Sequence, residues 1–195
     1  MEAVRKLFTL CASTVSAPPK KQESVRVQTV SYILTDLEIR AMNKTTTRYH
    51  RTAGQRSKPS SPSRWLYNNT DIQGPVLDYG CGRGADVNHF KIDGYDPNGP
   101  DYQHLPHKYY RTILCTYVLN VIPTSYEREE VIKQVKSLLT EDGVAYFSVR
   151  ADKSKLQGWT TTGTYQTFVE LDYPIVHRTS GYIIYKVEET NYASL

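Results

Sequence analysis

The sequence contains no apolar run approaching the roughly 20 residues that cross a bilayer, and its mean hydropathy is −0.53. No membrane span is expected. Cysteine is scarce, with three residues at positions 11, 81 and 115. That number supplies neither a disulfide framework nor paired Cys-x-x-Cys zinc ligands, so a reduced, cytoplasmic protein is expected. The five histidines offer no paired ligand spacing beyond His104-x-x-His107, which lies in a Pro-containing loop. No metal site follows from that. Acidic residues are missing from Lys44 to Arg64, where six Lys or Arg side chains stand with His50. With 195 residues, of which 39% are hydrophobic and 23% charged, the chain has room for one cored domain and an appended arm.

The charge is unevenly divided. Residues 1 to 72 carry 12 Lys+Arg against 5 Asp+Glu, and residues 73 to 195 carry 12 against 15. The net +4 is therefore a property of the front of the chain. Three segments are expected. Residues 1–41 form an N-terminal extension, disordered or dispensable, in which an organellar transit role for residues 1–21 is the alternative. Residues 42–72 form a basic arm or lid, with no helical or strand period over Lys44–Arg64 and an apolar foothold at Trp65-Leu66-Tyr67. Residues 73–195 form the folded domain.

Within that domain, Pro75–Tyr79, Ile92–Tyr95, Tyr110–Tyr117 and Val144–Val149 read as buried strands. Ala85–Lys91 reads as a short helix. Thr124-x-x-Glu127 is a capping box that opens a longer one, with Val131, Val135, Leu138 and Leu139 on one face, a Glu129–Lys133 pair on another, and Gly143 as its left-handed stop. Ile175–Arg178 and Tyr182–Val187 flank Thr179-Ser180-Gly181 as a hairpin. The fold class is α/β, a mainly parallel sheet with an antiparallel C-terminal edge.

Val76-Leu77-Asp78-Tyr79-Gly80-Cys81-Gly82-Arg83-Gly84 lies where a strand runs into a helix. Gly80 permits the turn, and Gly82 lets a ligand reach the backbone. Gly80-x-Gly82-x-x-Ala85 also satisfies a dinucleotide fingerprint, and Asp96, 18 residues after Asp78, would meet either cofactor's ribose. Asp78 separates the two readings. A carboxylate two residues before the first glycine is awkward beside a pyrophosphate and suits an ammonium or sulfonium ligand.

These residues resemble the first motif of class I S-adenosylmethionine-dependent methyltransferases. Gly94-Tyr95-Asp96-Pro97 resembles their second motif. Leu114–Pro123, the helix after it and Asp142–Arg150 are similar to their fourth strand, following helix and fifth strand. More loosely, Tyr49–Leu66 resembles a segment of uncharacterised bacterial and phage members, some associated with DNA phosphorothioation. The resemblance implies a Rossmann-like class I methyltransferase sheet and S-adenosylmethionine as cofactor. It implies that Asp78, Tyr79, Gly80, Cys81, Gly82 and Gly84 surround the methionine moiety, with Asp96 on the ribose and Pro97 against the adenine. Cys115 and Thr116 would meet the methionine amine through their backbone, and Tyr117 and Asn120 would stand nearest the methyl group as catalytic residues. The chain departs from the family between Asp96 and Arg111, where only 14 residues intervene and the third strand region is shortened.

No strong base follows the fourth strand, which favours an acceptor that is already nucleophilic or anionic. Cys115-Thr116-Tyr117-Val118 lacks the Pro-Pro-aromatic motif of amino-methylating DNA enzymes, and Cys115 follows Leu114 where cytosine-C5 enzymes have proline. Cys115 is expected to be a buried strand residue. A small-molecule acceptor is the first reading, with Arg51, Arg56 and Trp159 as substrate-binding residues. A nucleic-acid acceptor reached through residues 44–64, and cofactor binding without transfer, are the alternatives. Neither the acceptor nor the oligomeric state follows from the sequence.

Overall fold

The computed structural model describes residues 52–152, 157–161 and 163–188, all within one compact unit, Thr46–Leu195. Its elements are α1 (Ser61–Asn69), β1 (Val76–Tyr79), α2 (Ala85–Phe90), β2 (Asp93–Tyr95), β3 (Tyr110–Thr116), a 3-10 turn (Leu119–Val121), α3 (Ser125–Ser137), β4 (Leu139–Arg150), β5 (Gly158–Trp159), β6 (Tyr165–Gln166), β7 (Ile175–Arg178) and β8 (Tyr182–Glu188).

Six strands make one sheet in the order β2-β1-β3-β4-β8-β7. The first four are mutually parallel, with Leu77 opposite both Asp93 and Ile113 and Cys115 opposite Phe147. β8 turns antiparallel to β4, and β7 pairs with β8 as the outer hairpin strand. The near-continuous apolar runs of β3 and β4 are explained by burial on both faces. One face carries Leu77, Ile113, Ala145, Phe147 and Ile183 against Val135 of α3. The other carries Leu114, Tyr146 and Ile184 against Leu66 of α1. Leu66 is fully buried, which contributes on the order of 2–3 kcal/mol.

Helix α1 lies where no helical period was expected. Ser60 caps it, its hydroxyl accepting from Ser63 N at 3.1 Å, and proline occupies its first turn. This start signal is chemical and not periodic. Trp65 stacks on His177 at 4.0 Å, and Tyr67 on Phe90 of α2 at 3.8 Å.

Two expectations on α3 are corrected. The helix stops at Ser137, capped by Leu138 in a right-handed conformation. Gly143 lies inside β4, where a Cβ would come within 2.9–3.0 Å of Thr140 backbone and 3.0 Å of Tyr110 O, so it serves a close backbone approach. Lys133 pairs with Glu130 at 2.7 Å, one residue nearer than the expected Glu129. At the helix start the Thr124 hydroxyl accepts from Glu127 N at 3.2 Å and donates to its carboxylate at 2.8 Å.

Residues 97–109 contain no strand, so β2 is the sheet's edge and the third family strand is absent there. Between residues 164 and 171 only β6 pairs, with β5, as a separate two-stranded sheet.

Candidate functional site

The loops leaving the carboxyl ends of β1, β2, β3 and β4 enclose a cavity of about 750 Å³, the position at which open α/β sheets take their ligands. Its floor is the turn after β1. Gly80 has φ +78, and a Cβ there would run into the side chain of Val118. A Cβ on Gly82, at φ +59, would come within 2.9 Å of the Ala53 Cβ. Both positions require glycine for space and conformation together.

Four amides of this turn are already occupied. Gly80 N and Cys81 N donate to Tyr95 O at 2.6 and 3.2 Å, and Gly84 N donates to Cys81 O at 3.0 Å. Gly82 N donates to Asp96 Oδ2 at 2.8 Å, while Asp96 Oδ1 accepts from Asn98 N at 2.8 Å. A carboxylate oxygen has two lone pairs, so Asp96 keeps capacity for a pair of hydroxyl donors. A pyrophosphate would find these four amides taken and the Asp96 carboxylate facing the turn.

Two further acids lie beneath the turn. Asp78 is 2% exposed, and burial first, then the neighbouring Asp86, pushes its carboxyl well above the usual carboxylate range, with Arg56 opposing. Asp86, in the first turn of α2, is completely buried. It accepts from Ser60 N at 2.7 Å, Ser60 Oγ at 2.8 Å and Ser63 Oγ at 2.7 Å, and lies 3.5 Å from the Arg56 guanidinium.

The remaining wall comes from distant segments. Tyr117 takes φ +62 directly after β3, and its N–H donates to Ser148 O at 2.8 Å. Its phenol is pushed up to about 12, first by burial, then by Tyr182, against Arg150 and Arg56. Arg150 holds Asp152 through two contacts, at 2.9 and 2.6 Å. Thr52, Ala53, Gly54 and Arg56 line the cavity from before α1, Gln166 from β6, and Gly181 from the turn between β7 and β8.

Of the residues expected here, Arg56, Tyr79, Gly80, Cys81, Gly82, Asp96, Pro97, Thr116 and Tyr117 line one cavity. Gly84 does not. It caps α2 at φ +72, where a Cβ would meet the Tyr102 ring at 2.5 Å. Cys115 is 1% exposed, with its thiol pushed up by burial and then by Asp78, and packs in the core. Asp78 lies below the lining, and Arg51 falls outside the described residues.

Asn120 and Trp159 need correction. Asn120 Nδ2 donates to Thr167 O at 2.8 Å, and its Oδ1 accepts from Arg150 N at 2.8 Å. At 1% exposure it ties the turn after β3 to β4 and to the segment after β6, and both ends of its amide are committed. Trp159 is 49% exposed and packs edge-on to Tyr165 at 5.7 Å in the small β5–β6 sheet, and it is not among the residues that line the cavity. Residues the sequence reading passed over include Thr52–Gly54, Asp86, Asn98, Arg150 and Asp152. Ser60 before Ser61-Pro62 was a legible helix start, and Asp96-Pro97-Asn98 a legible Asx turn. Nothing local connected Ser60 with Asp86.

A family model described as a methyltransferase domain matches residues 38–174. No curated protein matches the sequence. Among solved structures, the Burkholderia thailandensis 1,6-didemethyltoxoflavin-N1-methyltransferase with bound S-adenosylhomocysteine is 17% identical, covering 89% of this chain and 92% of its own at a TM-score of 0.49. DhpI, in complex with SAH, is 14% identical, covering 75% and 88% at 0.49. The sugar N-methyltransferase KedS8 from Streptoalloteichus is 13% identical, covering 80% and 64% at 0.38. The family match carries the assignment.

Proposed function

Because the chain belongs to the methyltransferase-domain family, we propose that it uses S-adenosylmethionine to methylate an already nucleophilic or anionic small molecule. The observation that carries the choice of cofactor is the occupancy of the glycine turn. Its amides bond to Tyr95 O, Cys81 O and the Asp96 carboxylate, above two buried acids. A turn whose amides already face the Asp96 carboxylate favours a cationic ligand over a pyrophosphate, which counts against the nicotinamide reading.

The residues present fit that cofactor. Asp96 keeps lone pairs for the two ribose hydroxyls, and Asp78, beneath the turn, becomes a counter-charge once a ligand ammonium displaces its proton. Pro97 and Asn98 line the same end. When bound, S-adenosylmethionine supplies an electrophilic methyl on a sulfonium, open to in-line displacement. The protein's share is then alignment of the two reactants to about 3–3.5 Å and exclusion of water. Tyr117 follows β3 into the cavity, and a phenol pushed up to about 12 keeps its proton at neutral pH. It acts as a hydrogen-bond donor and not as a base. Asp152 is tied to Arg150, the Glu127 carboxylate accepts from the Thr124 hydroxyl, and no histidine lines the cavity among the described residues. An acceptor that needs no deprotonation matches this set.

Arg56 and Arg150 give the acceptor side its positive charges. The second reading, a nucleic-acid acceptor, is favoured by the exposed Lys58 and Arg64 beside Arg56 and by the acid-free composition of residues 44–64. The deciding experiment supplies radiolabelled S-adenosylmethionine to the protein with metabolite and nucleic-acid fractions separately. Label in the metabolite fraction supports the first reading and label in nucleic acid the second. Calorimetry showing NAD binding without S-adenosylhomocysteine binding would overturn both.

A further inference from the structure

We infer that Asp86 is a positioning residue which clamps residues 52–63 to the glycine turn, making that segment the roof of the cofactor cavity. The inference rests on the cofactor reading above for the identity of the ligand, while the clamp itself stands on contacts alone. Asp86 occupies the second position of α2, two residues after Gly84, which caps the helix and ends the glycine turn. Whatever is fastened to Asp86 is therefore registered against the turn.

Three donors from one distant segment converge on this carboxylate. Ser60 N reaches Oδ1 at 2.7 Å, and the Ser60 and Ser63 hydroxyls reach Oδ2 at 2.8 and 2.7 Å. The Arg56 guanidinium adds its charge at 3.5 Å. A fully buried carboxylate is tolerated only with such a set of partners. Asp86 therefore selects one placement of the segment. Ser60 also caps α1, so the same contacts fix where that helix begins. At the other end, Arg83 Nε donates to Ala53 O at 3.3 Å, and the Ala53 Cβ sits where any side chain on Gly82 would go. Between these two attachments Thr52, Ala53, Gly54 and Arg56 line the cavity together with Gly80, Gly82 and Asp96.

A ligand seated on the glycine turn thus lies in a cavity walled in part by this segment. Loosening Asp86 should free the roof, speed ligand release and release the Arg56 guanidinium from its place at the cavity wall. A role confined to fold stability would lower the unfolding temperature and leave ligand release alone.

The test compares wild type with Asp86→Asn, which keeps the side-chain shape but loses the charge and turns one acceptor into a donor. Ser63→Ala, which removes a single hydroxyl, is the milder variant. S-adenosylhomocysteine dissociation is timed by stopped-flow, hydrogen exchange is followed over residues 52–63, and unfolding is monitored by heat. Asp86→Asn is expected to raise the dissociation rate by at least about tenfold and Ser63→Ala by about threefold, with faster exchange over 52–63 in both. A lower unfolding temperature with unchanged dissociation and exchange rates would overturn the inference. If Asp86→Asn does not fold, Ser63→Ala and Ser60→Ala carry the same comparison. Failure of S-adenosylhomocysteine to bind wild type would overturn the cofactor reading, and exchange over 52–63 in the ligand-free variants would still decide the clamp.

Discussion

The wall from Tyr79 to Asn98 and the wall formed by Arg56, Tyr117, Arg150, Asp152 and Gln166 enclose one cavity but are assembled differently. The first is nearly contiguous in sequence. It folds on itself through hydrogen bonds among Tyr95, Asp96 and residues 80–84, and its spacing follows from backbone geometry. The second is gathered from four separate segments and held by contacts of long sequence separation, notably Asn120 to Thr167 and Arg150. Cofactor chemistry is constant across a family and can sit on local geometry, whereas an acceptor pocket can change by altering distant loops. The two walls should accordingly fail separately when perturbed.

The largest effect is expected at Gly80, which both walls need. Gly80→Ala places a Cβ against Val118 at a positive φ, costing about 2–5 kcal/mol from conformation and overpacking combined. Differential scanning should show the lower unfolding temperature, and calorimetry should show lost S-adenosylhomocysteine binding. Asn120→Ala leaves Thr167 O and Arg150 N without their buried partner, for about 2–4 kcal/mol. Turnover should collapse while the affinity of the folded fraction for S-adenosylhomocysteine changes by less than about threefold, roughly 0.7 kcal/mol. Equal losses in both readouts would show that the walls are one cooperative unit.

Asp96→Ala is expected to cut S-adenosylhomocysteine affinity by more than about tenfold, or 1.4 kcal/mol, with the fold intact by circular dichroism. Unchanged affinity would move the ribose elsewhere. Asp78 gives a pH signature. Its folded-state pKa lies above the ordinary 3.8, so the folded protein holds a proton that the unfolded chain releases, and stability falls as pH rises from that value through the folded pKa. Asp78→Asn should remove this slope. The variant should exceed wild type in stability at neutral pH and match it near pH 4 in urea melts. A ligand ammonium near Asp78 should also expel the proton, detectable by calorimetry in buffers of different ionisation enthalpy. The smallest effect is expected from Tyr117→Phe, which deletes one hydrogen-bond donor from the scattered wall. Turnover should fall by about three- to tenfold, roughly 1 kcal/mol, with cofactor affinity unaltered.

Much of the cofactor-facing wall was legible because its determinants are short-range. Gly80, Gly82 and Asp96 sit at strand ends that apolar runs locate, and the spacing between strand and turn leaves little freedom. Legibility failed where one side chain had two plausible uses. Asn120 follows β3 as an acceptor-contacting residue would, yet two backbone groups compete for its amide and bind both ends. Trp159 was expected to bind substrate from its place after Gln157-Gly158, but it pairs with Tyr165 in a separate sheet.

The sequence by itself determined the parallel strands, the glycine turn, the acid at the end of β2 and the capped start of α3, since each depends on neighbours within a few residues. Only the tertiary structure decided that α1 packs Leu66 onto the far face of the sheet and that Ser60 and Ser63 meet Asp86. It also decided that Arg56 and Arg150 reach the same cavity. The physical reason is the separation of 23 to 26 residues in the Asp86 contacts. A polar side chain carries no record of its partner in its own sequence neighbourhood, and burial selects the pairing only when the whole chain has folded.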